Sequence, residues 1–223
     1  LGMSVLILPM RNPIEVSAQV AEMDQLSLGR VNFGVGVGWY REEFEALGYD
    51  FAERGRRTND GLAIIKSLWT QEKTTIDGPY YSFANAQTGP KPYQKSGPPI
   101  YIGGNTRAAI ARLAQFGDVW HPYKISPADL GDARAVLRAT LEKSGRSASN
   151  FPIAVKVPLT FQDGPPGKGQ CVSEGRPQDI IHGLKRYIEE GVTEFCFDIM
   201  NETRSNVLDT MSRFTQEVRP HLE

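Results

Sequence analysis

Apolar positions along this chain fall into short runs separated by longer stretches of helical spacing. Residues 1–8 form one such run, and 31–38, 100–103, 119–122, 153–161 and 194–200 repeat it. Each has strand length and is bounded by turn residues. Between the first two runs, Val16, Val20, Met23 and Leu26 keep helical spacing, and after the second Leu62, Ile65, Leu68 and Trp69 do the same. Asn12-Pro13-Ile14-Glu15 reads as a helix start, with Asn as N-cap, Pro in the first position and Glu in the third, and Gly29 supplies the stop. Ser126-Pro127-Ala128-Asp129 has capping-box spacing. The pattern predicts helices over 12–28, 42–47, 58–70, 106–116, 126–143, 177–190 and 204–218.

Six strands thus alternate with six main helices, and the alternation breaks once. Residues 74–97 read as a hairpin around Asp77-Gly78 followed by a proline-spaced tail, an insertion within one βα unit. Residues 162–175 are polar and contain six Gly or Pro, which predicts a mobile loop. A closed (β/α)8 barrel needs eight units and about 250 residues. Six units, with two more ahead of residue 1, fit that size. An open doubly wound sheet of six strands is the alternative. The chain opens on Leu1 with a strand already in progress, so it reads as N-terminally incomplete. Composition does not shift along its length, which predicts a single domain over 1–223.

Bulk chemistry narrows the function classes. With 223 residues, 40% of them hydrophobic, the chain is long enough for one large α/β core. Its 25 basic and 26 acidic residues give a net charge of -1, which offers no electrostatic case for nucleic acid or an anionic membrane. No apolar run approaches the roughly 20 residues of a membrane helix. Cys171 and Cys196 read as two reduced thiols of a cytoplasmic protein. His121, His182 and His221 lack ligand spacing, so no metal site is expected.

Two glycine clusters carry candidate chemistry. In Gly34-x-Gly36-x-Gly38, Arg41 stands where the third glycine of a dinucleotide fingerprint belongs, and that reading fails. Gly34 and Gly36 divide evenly between close packing and ligand approach; Gly38, at the strand end, reads as admitting a ligand. The second cluster, Tyr101-Ile-Gly-Gly-Asn-Thr106, leads from a strand into a helix N-terminus. Amides there suit an anion such as phosphate. A plain tight turn capped by Asn105 or Thr106 is an equal alternative.

The motifs occur in a specific order. Leu-Pro-Met-Arg-Asn-Pro (8–13) is followed by Gly-Val-Gly-Val-Gly-Trp (34–39), Glu-Glu-Phe-Glu-Ala-Leu-Gly (42–48), Glu-Arg-Gly-Arg-Arg-Thr (53–58) and Leu-Trp (68–69). Gly-Pro-Tyr-Tyr-Ser-Phe (78–83), Pro-Lys-Pro-Tyr-Gln (90–94), Pro-Pro-Ile-Tyr-Ile-Gly-Gly-Asn (98–105) and Gly-Asp-Val-Trp (117–120) complete the set. It resembles the bacterial-luciferase-like oxidoreductases, within them the branch that uses the deazaflavin coenzyme F420. The likeness covers most of 1–122.

The resemblance implies a (β/α)8 barrel with its insertion after strand four, residues 1–8 as strand three, and the first two βα units lacking. It places a bulge with a non-proline cis peptide at Ser4-Val5, supporting a flavin-type ring. The ring would also rest on Val37, Gly38 and Trp39, and its phosphate would take amides from Gly103, Gly104, Asn105 and Thr106 and from Trp120 and His121. Arg54, Arg56 and Arg57 could meet the acidic tail of the deazaflavin, though such runs are mostly solvated surface. His121 and Glu42 are the candidate acid–base residues, with a helix-dipole role competing for Glu42. Trp39 and Tyr40 read as pocket wall. The expected activity is hydride transfer between reduced F420 and a small organic substrate, by a homodimer. The alternatives are an FMN-dependent monooxygenase, a non-catalytic flavin-binding protein and, more distantly, a phosphate-binding barrel isomerase.

Overall fold

A computed structural model of the protein describes residues 1–149, 151–167, 171–199 and 203–222. The chain divides into two compact units, Leu1–Val119 and Trp120–Glu223.

In the first unit, β1 (Leu6–Ile7) runs through a 3-10 turn, Leu8–Met10, into α1 (Pro13–Ser27). Next come β2 (Phe33–Gly36), α2 (Arg41–Ala46) and α3 (Arg54–Thr70). The hairpin β3 (Thr74–Asp77) and β4 (Ser82–Ala86) follows, then β5 (Ile100–Gly103) and α4 (Arg107–Phe116). β2 lies parallel between β1 and β5, with Leu6 opposite Val35 and Phe33 opposite Ile100. The strand predicted over 1–8 is shorter than its apolar run. Pro9 has no amide hydrogen to give a neighbouring strand and instead sits in the first positions of the 3-10 turn.

The predicted start of α1 is realised: Asn12 Oδ1 accepts from the Ile14 amide at 2.9 Å. Its buried face differs from the predicted one. Val16 and Val20 are buried, but Leu26 is 81% exposed and Met23 also faces outward. Ser17, Ala21 and Asp24 occupy the inner positions. The buried Asp24 carboxylate is matched from outside the helix, accepting from the Gln94 amide at 2.9 Å and its side-chain Nε2 at 3.0 Å. Helical spacing cannot reveal a partner that a loop delivers. α3 likewise begins earlier than predicted, at Arg54; Thr58 lies one turn inside, buried, its hydroxyl donating to the Arg54 carbonyl at 2.7 Å. Trp69 ties α3 to both neighbours. Its ring meets Phe33 edge-on at 5.7 Å, and its Nε1 donates to the Ser17 carbonyl at 2.9 Å.

The boundary between the units falls within β6 (Val119–His121). The second unit continues with α5 (Pro127–Lys143), β7 (Ala154–Pro158), β8 (Thr160–Phe161), β9 (Glu174–Gly175) and α6 (Pro177–Glu189). β10 (Glu194–Asp198) and α7 (Arg204–Arg213), which runs into a π-type turn at Phe214–Val218, complete it. β7 pairs parallel with β10, Lys156 opposite Cys196, and bridges Trp120 to Ile153 and Tyr123 to Lys156 on its other side. Tyr187, Phe195, Phe197 and Phe214 form a continuous aromatic ladder. Buried Tyr187 donates to the Ile125 carbonyl, and burial pushes its phenol pKa up, so the donor stays protonated.

The segment predicted as a loop over 162–175 is held at its ends, where Thr160 pairs with Glu174 and Phe161 with Gly175. Its residues 168–170 lie outside the described residues, as does Met200 at the end of the strand predicted over 194–200. Among the described residues no helix is long and apolar enough to cross a membrane.

Candidate active site

The glycines of the first unit surround one side chain. A Cβ at Gly34 would land on the Met3 carbonyl oxygen; at Gly36 it would stand 2.6 Å from Val5 Cγ2, and at Gly103 3.3 Å from Val5 Cγ1. β2 and β5 therefore omit side chains where the Met3–Val5 segment enters. For Gly34 and Gly36 close packing suffices to explain the residue. The Ser4–Val5 peptide bond is cis, at the position implied by the resemblance.

Gly38 is required twice over. Its φ is +78°, and a Cβ there would meet the buried Phe44 ring at 2.7 Å and Ile7 at 2.9 Å. Beyond it the chain opens outward: Trp39 is 83% exposed, its ring 5.5 Å from that of Tyr40. Large aromatics are seldom so bare unless something covers them.

At the end of β5, Thr106 rather than Asn105 is the N-cap, its hydroxyl oxygen accepting from the Ala109 amide at 3.2 Å. Gly104 has φ +113°, and a Cβ there would contact only Ala109, at 3.3 Å. The tight turn is therefore real, and it leads directly into the first amides of α4. Those amides and the positive end of the helix dipole are the groups an anion needs.

The remaining first-unit candidates separate clearly. Glu42 is exposed in the first turn of α2, beside Glu43, where either carboxylate favours the dipole. Arg56 is solvated and paired with Glu53 at 3.3 Å. Arg54 stacks 3.7 Å above Phe51. Arg57 donates to the Pro9 carbonyl at 3.2 Å and to the Tyr81 hydroxyl at 3.3 Å, pinning the insertion hairpin to the 3-10 turn.

In the second unit Trp120 and His121 are buried. His121 Nδ1 lies 2.6 Å from the Ala154 carbonyl oxygen. Since a carbonyl only accepts, Nδ1 carries the proton and Nε2 the lone pair. Desolvation lowers the imidazole pKa and nearby Lys156 lowers it further, outweighing the Ala154 hydrogen bond and Glu194, which raise it. The ring is held neutral, as an acceptor at Nε2.

Sequence reading missed Tyr123, Lys156 and Asp198. Tyr123 donates to Asp198 Oδ2 at 3.3 Å, and Lys156 Nζ stands 3.8 Å from the same oxygen. The available signal was a lysine in the middle of an otherwise apolar β7. A cavity of about 540 Å³ in this unit, lined by Arg134, Arg138, Glu142 and Phe151, offers less chemistry. Its arginines are already paired, with Glu190 at 3.8 Å and Glu142 at 3.6 Å.

Comparison with known proteins gives this geometry a context. Residues 1–165 match the model of the luciferase-like monooxygenase family. The chain belongs to that family. It is 34% identical over 113 residues to an FMNH(2)-dependent dimethylsulfone monooxygenase of Pseudomonas putida, covering 49% of this chain and 31% of that one. An uncharacterised protein of Mycobacterium tuberculosis is 31% identical over 190 residues, 85% of this chain and 58% of the relative. The chain thus spans under two thirds of the length of these curated relatives. An F420-dependent secondary alcohol dehydrogenase superposes with a TM-score of 0.85 at 17% identity, covering 100% of this chain and 79% of that one. The FMN-bound oxygenating constituent of a diketocamphane monooxygenase from Pseudomonas putida gives 0.78 at 12%, with the same coverage. The fold of this luciferase-like chain is accordingly the (β/α)8 barrel, not the open doubly wound sheet.

Proposed function

We propose that the protein is a two-electron oxidoreductase that holds the reduced deazaflavin F420 and passes hydride to a small organic substrate. The carrying observation is the Val5 seat beside Gly103-Gly104. Three glycines admit the Met3–Val5 segment, and the next turn leads into the N-terminus of α4. This fits a group with a flat ring and a phosphate. Ser4 and Val5 would back the ring; Val37, Gly38 and Trp39 would form its wall; Gly103, Gly104, Asn105 and Thr106 would hold its phosphate. The bound cofactor would supply the hydride. Positioning and exclusion of water fall to the protein, and the exposed Trp39 and Tyr40 rings are suited to covering an organic substrate. His121, neutral with its lone pair on Nε2, would accept a proton there; Glu42 is the weaker acid–base candidate because its place at the start of α2 already accounts for it. We further take 1–223 as part of one barrel domain acting as a cytoplasmic homodimer.

A second reading replaces F420 with FMN and makes the enzyme a monooxygenase, favoured by the 34% identity to the dimethylsulfone enzyme. Titrating purified protein with each cofactor, followed by fluorescence, separates the two. Tight FMN binding without deazaflavin affinity would overturn the first. Gly104→Val should weaken cofactor binding more than it lowers stability. Equal losses would reduce the turn to a structural one.

A further inference from the structure

The parallel ribbon formed by residues 120–124, β7 and β10 has two unlike faces. Register puts Trp120, Val155, Val157, Phe195 and Phe197 on one side, all apolar. The other side carries His121, Tyr123, Lys156, Glu194, Cys196 and Asp198, with Ala154 and Pro158 among them. Parallel strands usually read as continuous apolar runs, and an ion pair half-withdrawn from water is costly to place there. The side chains of Lys156 and Asp198 are 25% and 24% exposed, so they are partly desolvated yet within reach of a small solute.

A second ammonium joins this pair. Lys124 has φ +50°, a left-handed conformation that glycine or asparagine adopts far more readily than lysine. The strand pairing fixes it there: the Lys124 amide donates to the Lys156 carbonyl at 3.0 Å, and the Lys156 amide to the Pro122 carbonyl at 2.8 Å. As a result Lys124 Nζ stands 5.3 Å and Lys156 Nζ 5.5 Å from the centre of the Tyr123 ring. Two ammonium groups and one phenol donor thus lie about Asp198, and among the described residues the same face of the ribbon also carries Glu194, two residues before Cys196 in β10. Residues in rare backbone conformations beside partly buried charge cluster at functional sites.

We propose that Lys124, Lys156 and Tyr123 form a cradle for a small oxyanion, with Asp198 as the internal counter-ion it displaces. An arriving carboxylate or phosphate oxygen accepts from both ammonium groups and takes the phenol hydrogen bond that Asp198 now accepts. The oxyanion belongs either to the substrate or to the phosphate of the cofactor. The cradle stands independently of the cofactor reading, because anions alone test it.

Thermal unfolding of the protein is followed at fixed ionic strength while chloride is replaced by acetate or by inorganic phosphate. Wild type should show a saturable rise in Tm. Lys156→Met and Lys124→Gln should weaken that response at least about fivefold, and Asp198→Asn should tighten it about tenfold, since a carboxylate no longer competes for the same donors. Lys124→Gln alters an exposed side chain and keeps the test decisive if Lys156→Met does not fold. Titration with whichever of F420 and FMN the wild type binds, and with the same molecule lacking its phosphate, then assigns the source. A Lys124→Gln loss for the phosphorylated form alone identifies the cofactor phosphate; unchanged binding of both forms, with the anion response lost, identifies the substrate. No saturable response in wild type, a response untouched by Lys124→Gln, or weaker binding in Asp198→Asn overturns the proposal.

Discussion

The two units use parallel strands in opposite ways. In the first, β2 and β5 give up side chains at Gly34, Gly36 and Gly103 so that Val5 can enter. In the second, β7 and β10 keep charged side chains, Lys156 and Asp198, on a face that packing alone would fill with apolar residues. One arrangement shapes a surface from backbone; the other presents titratable groups. Substitutions in the first region should therefore fail through space, and in the second through chemistry.

The largest effect expected is at Gly34. Its added side chain would collide with the Met3 backbone, which has no flexible end to move aside. Gly34→Val should cost more than about 4 kcal/mol or abolish folding. Urea unfolding measures it; a folded variant within about 1 kcal/mol of wild type, an ordinary surface-substitution effect, would show that the strands are not packed to the limit and would erase the contrast.

The buried Asp24–Gln94 pair comes next, because it places a charge within the first unit, where the contrast predicts packing to dominate. Asp24→Ala leaves the Gln94 backbone amide without its acceptor and takes from its Nε2 one of two, the Val31 carbonyl remaining at 3.2 Å, and should cost about 2–3 kcal/mol. A double-mutant cycle with Gln94→Ala checks it: the two losses should be strongly non-additive. Additive losses would mean that the pair does not hold the 90–97 segment to α1.

What sequence could reveal follows the same division. The alternation of strands and helices, the α1 cap at Asn12, the hairpin and the family resemblance are carried by local signals, while β1, the start of α3 and the β8–β9 pairing differ from what was expected. The inner face of α1 was misread because the hydrogen bonds to Asp24 come from a residue 70 positions away. The role of Gly34 and Gly36 was undecided because a missing side chain does not say what enters the space. Tyr123, Lys156 and Asp198 come from three separate strand segments, and only register places them together. The glycine clusters and His121 were legible as candidates because each sits at a strand end, next to a turn or helix start.

A smaller effect tests the turn after β5. Thr106→Ala removes the acceptor of the Ala109 amide and should cost about 1 kcal/mol. Thr106→Ser should restore most of it. If neither changes the urea midpoint, the end of α4 is held by its surroundings and not by its cap.

The smallest effect belongs to His121, and it is visible only as a dependence on pH. Burial lowers the imidazole pKa in the folded protein below that of the unfolded chain, about 6.5. Above that value both states are neutral and this contribution is fully present. As pH falls below it, the unfolded chain binds a proton that the folded protein does not, so stability declines until the folded ring is protonated as well. His121→Asn retains a donor toward the Ala154 carbonyl but cannot titrate, so its urea midpoint should change less between pH 7.5 and pH 5 (both about one unit or more from the reference value). If wild type and variant lose stability in parallel over that range, the His121 ring is not held neutral, and the proton-accepting role proposed for its Nε2 loses its physical basis.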